Sequence, residues 1–321
     1  MDILLLLLGI GVLVGGGEFL VRGAVGMSHT LKISPLVVGM TIVAFGTSAP
    51  ELLVSLTSSL NGNPGIAIGN VVGSNIANIA LVLGITVLIF PIVADKQTKN
   101  VDFPMMMFAT LLCFFFMRDG ELSFYEGAIF FSIIVTFTYS LIHRSRKKTK
   151  KQEDQLLEEE MQKMPYWKSS FFLLLGFVGL YFGAAWFIDG AVGLADVFLA
   201  DNPEKDVIIG VTVVAFGTSA PELVASCVAA YKKETDISVG NLIGSNIFNI
   251  FVVLGITSMV NPIPVTKEVI EFDMIWVIGV AFLLLFVLAI GKKIGRIKGA
   301  ILLTTYITYI TIIVLRVKGV I

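Results

Sequence analysis

The chain has 321 residues, 56% hydrophobic and 15% charged, and its mean hydropathy of +0.89 excludes an ordinary water-soluble domain. A formal net charge of −1 excludes the basic footprint of a nucleic-acid-binding protein. This is the composition of a membrane protein, in which charges matter by position.

The opening stretch, MDILLLLLGIGVLVGGGEFL, has Asp2 where a signal peptide carries basic residues, and no A-x-A-like cleavage site follows promptly. It is read as the first membrane helix, at about 3–22. Further apolar runs long enough to cross about 30 Å of hydrocarbon fall at about 33–59, 64–90, 123–142, 168–188, 207–230, 237–260, 273–291 and 299–316. A shorter run at about 104–118 is also expected to span. None shows the alternation of barrel strands, so the expected fold is all-α, with ten transmembrane helices.

Lys and Arg set the orientation. The segment between the fifth and sixth spans carries Arg144, Arg146, Lys147, Lys148, Lys150, Lys151, Lys163 and Lys168, which places it in the cytoplasm and both termini outside. The basic turns Arg22 to Lys32, Lys232 to Lys233 and Lys292 to Lys298 then face the same side, and only Arg316 and Lys318 go against the rule. The same linker continues through Glu153, Asp154, Glu158, Glu159 and Glu160, and reads as a solvated, helix-prone connection without the Gly-centred spacing of a calcium loop. Cys113 and Cys227 lie in apolar stretches, apart from His29 and His143, so neither a disulfide framework nor a zinc site is expected. Glu18 and Arg22, four apart near a helix end, read as charges that pair or snorkel.

An internal repeat organises the chain. MTIVAFGTSAPELLVS at Met40 to Ser55 recurs as VTVVAFGTSAPELVAS at Val211 to Ser226, and GNVVGSNIANIALVLGIT at Gly69 to Thr86 recurs as GNLIGSNIFNIFVVLGIT at Gly240 to Thr257, both at one offset. Upstream, FLVRGAVG at Phe19 aligns with FIDGAVG at Phe187 once an insertion around Asp201 to Asp206 is allowed. Each unit has five spans, an odd number, so the second enters the membrane from the opposite side, as in many secondary transporters. The expected division is a first five-helix repeat at 1–142, a linker at 143–167 and a second repeat at 168–321.

Each AFGTSAPEL block sets helix breakers and polar groups in mid-span, and irregular backbone at that depth must line a polar cavity. Pro50 and Pro221 each remove a donor, which is expected to free carbonyls such as those of Ala44 and Ala215. Thr47, Ser48, Thr218 and Ser219 add hydroxyl oxygens, and Glu51 and Glu222 add carboxylates whose presence in the bilayer costs at least a few kcal/mol and so points to function. In the second motif Ser74 and Asn78, and likewise Ser245 and Asn249, stand one turn apart and would complete the coordination. Asn75 and Asn246 face elsewhere and are expected to bond the neighbouring broken helix. The set is an all-oxygen site for a hard cation, suited to Ca²⁺. Two carboxylates about 6 Å apart repel by roughly 3 kcal/mol at an effective dielectric near 20, so an empty site resists crossing and a loaded one does not. A channel would need an open pore and a charge ring, and an enzyme a nucleophile with its base; the sequence offers neither.

At these residues the chain resembles the sodium/calcium exchanger family of cation/calcium antiporters, prokaryotic type, whose repeats carry GTSxPE and GSNxxN blocks. The resemblance implies that Glu51, Glu222, Thr47 and Thr218 hold Ca²⁺. It implies that Ser48, Ser219, Ser74, Ser245 and the carbonyls of Ala44 and Ala215 help form Na⁺ sites. It also implies alternating access in a cell membrane without a cofactor, with Ca²⁺ and Na⁺ as substrates, the lipid bilayer as surroundings and a monomer as the working unit. In the family the first and sixth helices slide across the rest, which the glycine-rich runs Gly9 to Gly17 and Gly176 to Gly190 would permit. Part of the family carries Asp where this chain has Asn249, so K⁺ dependence is not expected. The rival within transport is an H⁺/Ca²⁺ exchanger using the same glutamates.

Overall fold

The computed structural model describes residues 1–93, 95–153, 164–198, 215–291, 293–317 and 320. It is a helical bundle: α1 (Asp2–Leu31), α2 (Pro35–Thr47), α3 (Ala49–Leu60), α4 (Gly65–Ile89), α5 (Thr98–Asp119), α6 (Phe124–Glu153), α7 (Tyr166–Phe198), α8 (Ala215–Thr218), α9 (Ala220–Tyr231), α10 (Thr235–Val260), α11 (Val269–Ala289) and α12 (Arg296–Val317). Among the described residues eight helices are long and apolar enough to cross a membrane, and α2 with α3 makes a ninth span bent by 41°. The short apolar helix α9 covers the end of the run predicted at 207–230. The start of that run, the insertion at 201–206 and the acidic linker residues from Asp154 to Glu160 lie outside the described residues.

Polar residues hid two helix ends. The first helix, expected to stop at Arg22, continues to Leu31, where Lys32 closes it in a left-handed turn (φ 55°). The expected cytoplasmic turn from Arg22 onward is therefore helix up to Leu31. Its charges are accommodated by the fold: Glu18 pairs with Lys232 rather than with Arg22, and Arg22 lies over the Phe172 ring of α7 at 5.3 Å. The fifth helix likewise starts six residues before the apolar run, in a π-helical turn over Thr98–Asp102. A π-helical turn also opens α11 at Val269–Asp273, the matching place in the second repeat.

Two short β contacts tie loops together at opposite ends of α5. Ile92 pairs antiparallel with Ile294, and Glu121–Leu122 (β1) pairs with Ile263–Pro264 (β2). The interior lies around α4 and α10, the most buried helices, whereas α1, α6, α7 and α12 present most of their length outward. Their exposed surface is apolar, with Leu7, Phe171, Leu174 and Ile307 turned out, as lipid requires.

Close backbone approach sets several helix pairs, of which two bear on the polar interior. α1 has Gly9, Gly16 and Gly23 seven residues apart, and α7 answers with Gly176, Gly183 and Gly190. A Cβ on Gly16 would stand 2.7 Å from the Leu180 backbone nitrogen, and one on Gly176 2.6 Å from that of Leu20, so the seam admits nothing larger than glycine. α2 and α10 cross in the same manner: a Cβ on Gly240 would meet the Leu36 carbonyl oxygen at 2.5 Å, and one on Gly244 the Met40 Cα at 2.7 Å. That crossing carries the second-repeat polar residues onto the first-repeat break.

Candidate cation-binding site

The break in the second span falls at Ser48, whose φ −88° and ψ 4° lie between helix and extended backbone; Ser219 repeats it at φ −86° and ψ 1°. Each serine caps a new helix with proline at its start and glutamate in its first turn, Glu51 in α3 and Glu222 in α9. The Ser-x-x-Glu spacing reads as a capping box, yet neither serine side chain caps its own helix. Instead the Ser48 hydroxyl donates to Glu222 Oε1 at 3.4 Å, from one repeat to the other. Both carboxylates are buried, at 2% and 1% exposure, and stand in the positive field of a helix N-terminus. They lie within electrostatic reach of each other.

Thr47, Ser48, Ser74, Asn78, Ser219, Ser245 and Asn249 are all buried as well, and Thr218 is half-buried. Thr47 Oγ1 donates to Asn241 Oδ1 at 3.1 Å and lies 3.4 Å from Ser245 Oγ. Asn78 and Asn249 each sit in a π-helical stretch, Ala77–Val82 and Asn249–Leu254, which widens the turn there, a feature frequent at functional sites. Among the described residues Glu51 Oε2, Glu222 Oε2, Asn78 Oδ1 and Asn249 Oδ1 are buried oxygens without a donor. A cation is the partner that satisfies acceptor-only oxygens of this kind.

Two expectations are corrected. The Ala44 carbonyl is not free: it accepts the Ser48 N–H at 3.0 Å and the Thr47 hydroxyl at 3.4 Å. A proline withdraws the donor from the carbonyl four residues back, so Pro50 leaves Gly46, not Ala44, without its helical partner. Ala215 opens α8, and its side chain lies outside the described residues. The second correction concerns Asn75, which donates to the Asn246 carbonyl at 3.3 Å and accepts from Asn249 Nδ2 at 3.1 Å, thereby bonding α10 and not a broken helix. Asn246 Nδ2 turns back to its own helix, onto Leu242 O at 2.8 Å.

Sequence reasoning passed over a further pair. Asn70 Nδ2 donates to Ser55 Oγ at 3.0 Å and to the Glu51 carbonyl at 3.1 Å, fixing the start of α3 against α4. Asn241 Nδ2 donates to Ser226 Oγ at 3.1 Å, the same bond in the second repeat. The signal was present, since Asn follows the first Gly of both GNxxGSN blocks and Ser closes both first blocks.

Comparison with known proteins places the chain in a family. The model of the family described as sodium/calcium exchanger protein matches residues 1–142 and 168–315. The chain is 37% identical to the putative antiporter CaxA of Alkalimonas amylolytica over 94% of its length and 95% of that protein. It is 31% identical to the sodium/calcium exchanger MaX1 of Methanosarcina acetivorans, over 97% and 98%. A solved structure of the sodium-calcium exchanger NCX_Mj, soaked with zero Na⁺ and Ca²⁺, superposes with a TM-score of 0.82 at 30% identity, covering 97% of this chain and 98% of that one. The chain is therefore a multi-pass membrane antiporter, not an enzyme, and belongs to the sodium/calcium exchanger protein family.

Proposed function

We propose that the chain exchanges several Na⁺ for one Ca²⁺ by alternating access, electrogenically, through one site shared by two inverted five-helix repeats. The observation that carries the reading is the pair of buried glutamates, one from each repeat, each keeping an oxygen without a donor, with Ser48 of the first repeat donating to Glu222 of the second. Glu51, Glu222, Thr47 and Thr218 hold Ca²⁺. Ser48, Ser219, Ser74 and Ser245 serve Na⁺, with Asn78, Asn249 and the Ala215 carbonyl completing the oxygen set. The tenth span is the run at 207–230, the repeats are 1–142 and 168–321, and the linker at 143–167 faces the cytoplasm with both termini outside.

Coupling follows from charge. Two uncompensated carboxylates in a low-dielectric interior resist closure around them, while Ca²⁺ or several Na⁺ neutralise the pair and allow α1 and α7 to slide over the site. Empty crossings are suppressed, which turns binding into obligatory exchange. The paired neutral oxygens favour Na⁺ over H⁺ as the driving ion, because a proton needs a titratable group and not a coordination shell.

The test is ⁴⁵Ca²⁺ uptake into proteoliposomes, first with an outward Na⁺ gradient, then with a pH gradient in the absence of Na⁺, each with and without K⁺. Uptake is expected with the Na⁺ gradient alone, with a rate shifted by an imposed potential worth about 2.3 kcal/mol per elementary charge per 100 mV. Choline in place of K⁺ should leave it unchanged. Equal uptake from the pH gradient would transfer the reading to an H⁺/Ca²⁺ exchanger.

A further inference from the structure

A second feature lies away from the cation site, on the outer side of the bundle. A groove of about 840 Å³ runs between the start of α5 and the length of α6, from Tyr125 to Lys148. At 1.5 Å per residue that is about 35 Å, close to the thickness of a bilayer core. Its walls are apolar, with Met105 from α5 and Ile129, Ile133 and Phe137 from α6. The hydroxyls of Ser132 and Thr136 do not make it polar: each donates to a carbonyl of its own helix, Ala128 O at 2.7 Å and Ser132 O at 2.9 Å. One end differs. There Arg144 and Lys148, one turn apart on the same face, stand exposed at the mouth beside Gln97; neither forms an ion pair among the described residues, and Asp236 of α10 lies within electrostatic reach of Lys148.

We infer that this groove is a lipid site that holds an acyl chain of an anionic glycerophospholipid, with the headgroup phosphate on Arg144 and Lys148. An apolar channel open to hydrocarbon takes up hydrocarbon, which selects a lipid tail. Two exposed cations at headgroup depth select the charge, since a basic residue near an anionic lipid surface is worth about fivefold in binding. Arg adds a bidentate match to phosphate that a general surface charge lacks. The inference rests on the groove alone and holds for whichever leaflet its basic end faces.

Native mass spectrometry tests it on the full-length purified protein, offered an equimolar mixture of phosphatidylglycerol and phosphatidylcholine. The wild type should retain phosphatidylglycerol preferentially. Arg144→Gln with Lys148→Gln should lower that preference by ~25-fold, the product of two charges. Lys147→Gln, exposed on the same helix but outside the groove, should leave the preference intact. Thr136→Trp, which fills the groove and alters no charge, should release the retained lipid whatever its headgroup. Equal retention of both headgroups by the wild type would reduce the groove to ordinary annular lipid and overturn the inference. So would an unchanged preference in the double variant, an equal loss in Lys147→Gln, or a dimer whose interface covers the groove.

Discussion

Glycine brings helices into backbone contact at several places, and two of these contacts do different things. Where α2 crosses α10, the close approach of Gly39, Gly240 and Gly244 is reinforced by a polar bond between the repeats, Thr47 to Asn241, and beside it Asn75 of α4 bonds Asn246. Where α1 meets α7, the seam joins those two helices to each other and much less to the rest. Towards the site helices, α1 offers Gly17 to the methyls of Val224 and Val228, and an ion pair, Glu18 with Lys232. From α7, the Phe177 ring covers Gly46 and Ile188 covers Gly217. Backbone-locked contacts within the pair and side-chain contacts outside it support the proposal that the pair moves as a unit over a fixed site.

The largest effect should come from the fixed side. Glu51→Gln or Glu222→Gln removes one of the two negative charges that balance Ca²⁺, and leaving a buried charge uncompensated costs about 3–5 kcal/mol, so Ca²⁺ uptake should fall ~100-fold or more. Thermal unfolding in detergent should show a retained transition, since the amide keeps the shape. Uptake near the wild-type rate in either variant would remove the glutamates from the site.

The moving side is broken by bulk. Gly16→Val forces a side chain into the Leu180 backbone and should cost about 1–3 kcal/mol, read as a lowered melting temperature together with lost transport. Gly11→Val, on the same helix where no atom lies within 4 Å, should change neither. If both variants behave alike, the seam is not what holds the pair.

Smaller effects sharpen the contrast. Asn241→Ala removes the acceptor of Thr47 and the donor to Ser226, and at about 1–3 kcal/mol for a buried group left without its partner it should weaken apparent Ca²⁺ affinity roughly tenfold. Lys232→Gln should act on motion and not on binding. A half-exposed ion pair is worth about 0–1 kcal/mol, so turnover should shift by no more than ~fivefold while Ca²⁺ affinity stays constant. A change of affinity in Lys232→Gln would place that pair within the site.

Much of this was readable in one dimension because lipid enforces it. The run expected at 64–90 is α4 at Gly65–Ile89, and the one at 237–260 is α10 at Thr235–Val260, since a spanning helix must be continuously apolar. The bend was readable from Pro50, and the glutamates from their cost in hydrocarbon. What escaped lies in contacts between distant residues or in polar residues that the fold satisfies. Arg22 ended the first span on paper because a hydropathy reading cannot foresee Phe172 beneath it or Lys232 beside Glu18. Asn70 and Asn241 stood in plain view in the repeated blocks, but their bonds to Ser55 and Ser226 depend on how α4 packs on α3 and α10 on α9. The Ala44 carbonyl was misassigned by counting two residues too far back from the proline.

The central claim is that one site serves both ions in turn. Isothermal titration of purified protein with Ca²⁺ at increasing Na⁺ addresses it without reconstitution or a gradient. Competition requires the apparent Ca²⁺ dissociation constant to rise with Na⁺ while the number of Ca²⁺ sites stays at one, and requires the Ca²⁺ heat to vanish in Glu51→Gln and Glu222→Gln. Ca²⁺ binding that is indifferent to Na⁺, or that persists at full stoichiometry in either variant, would contradict it.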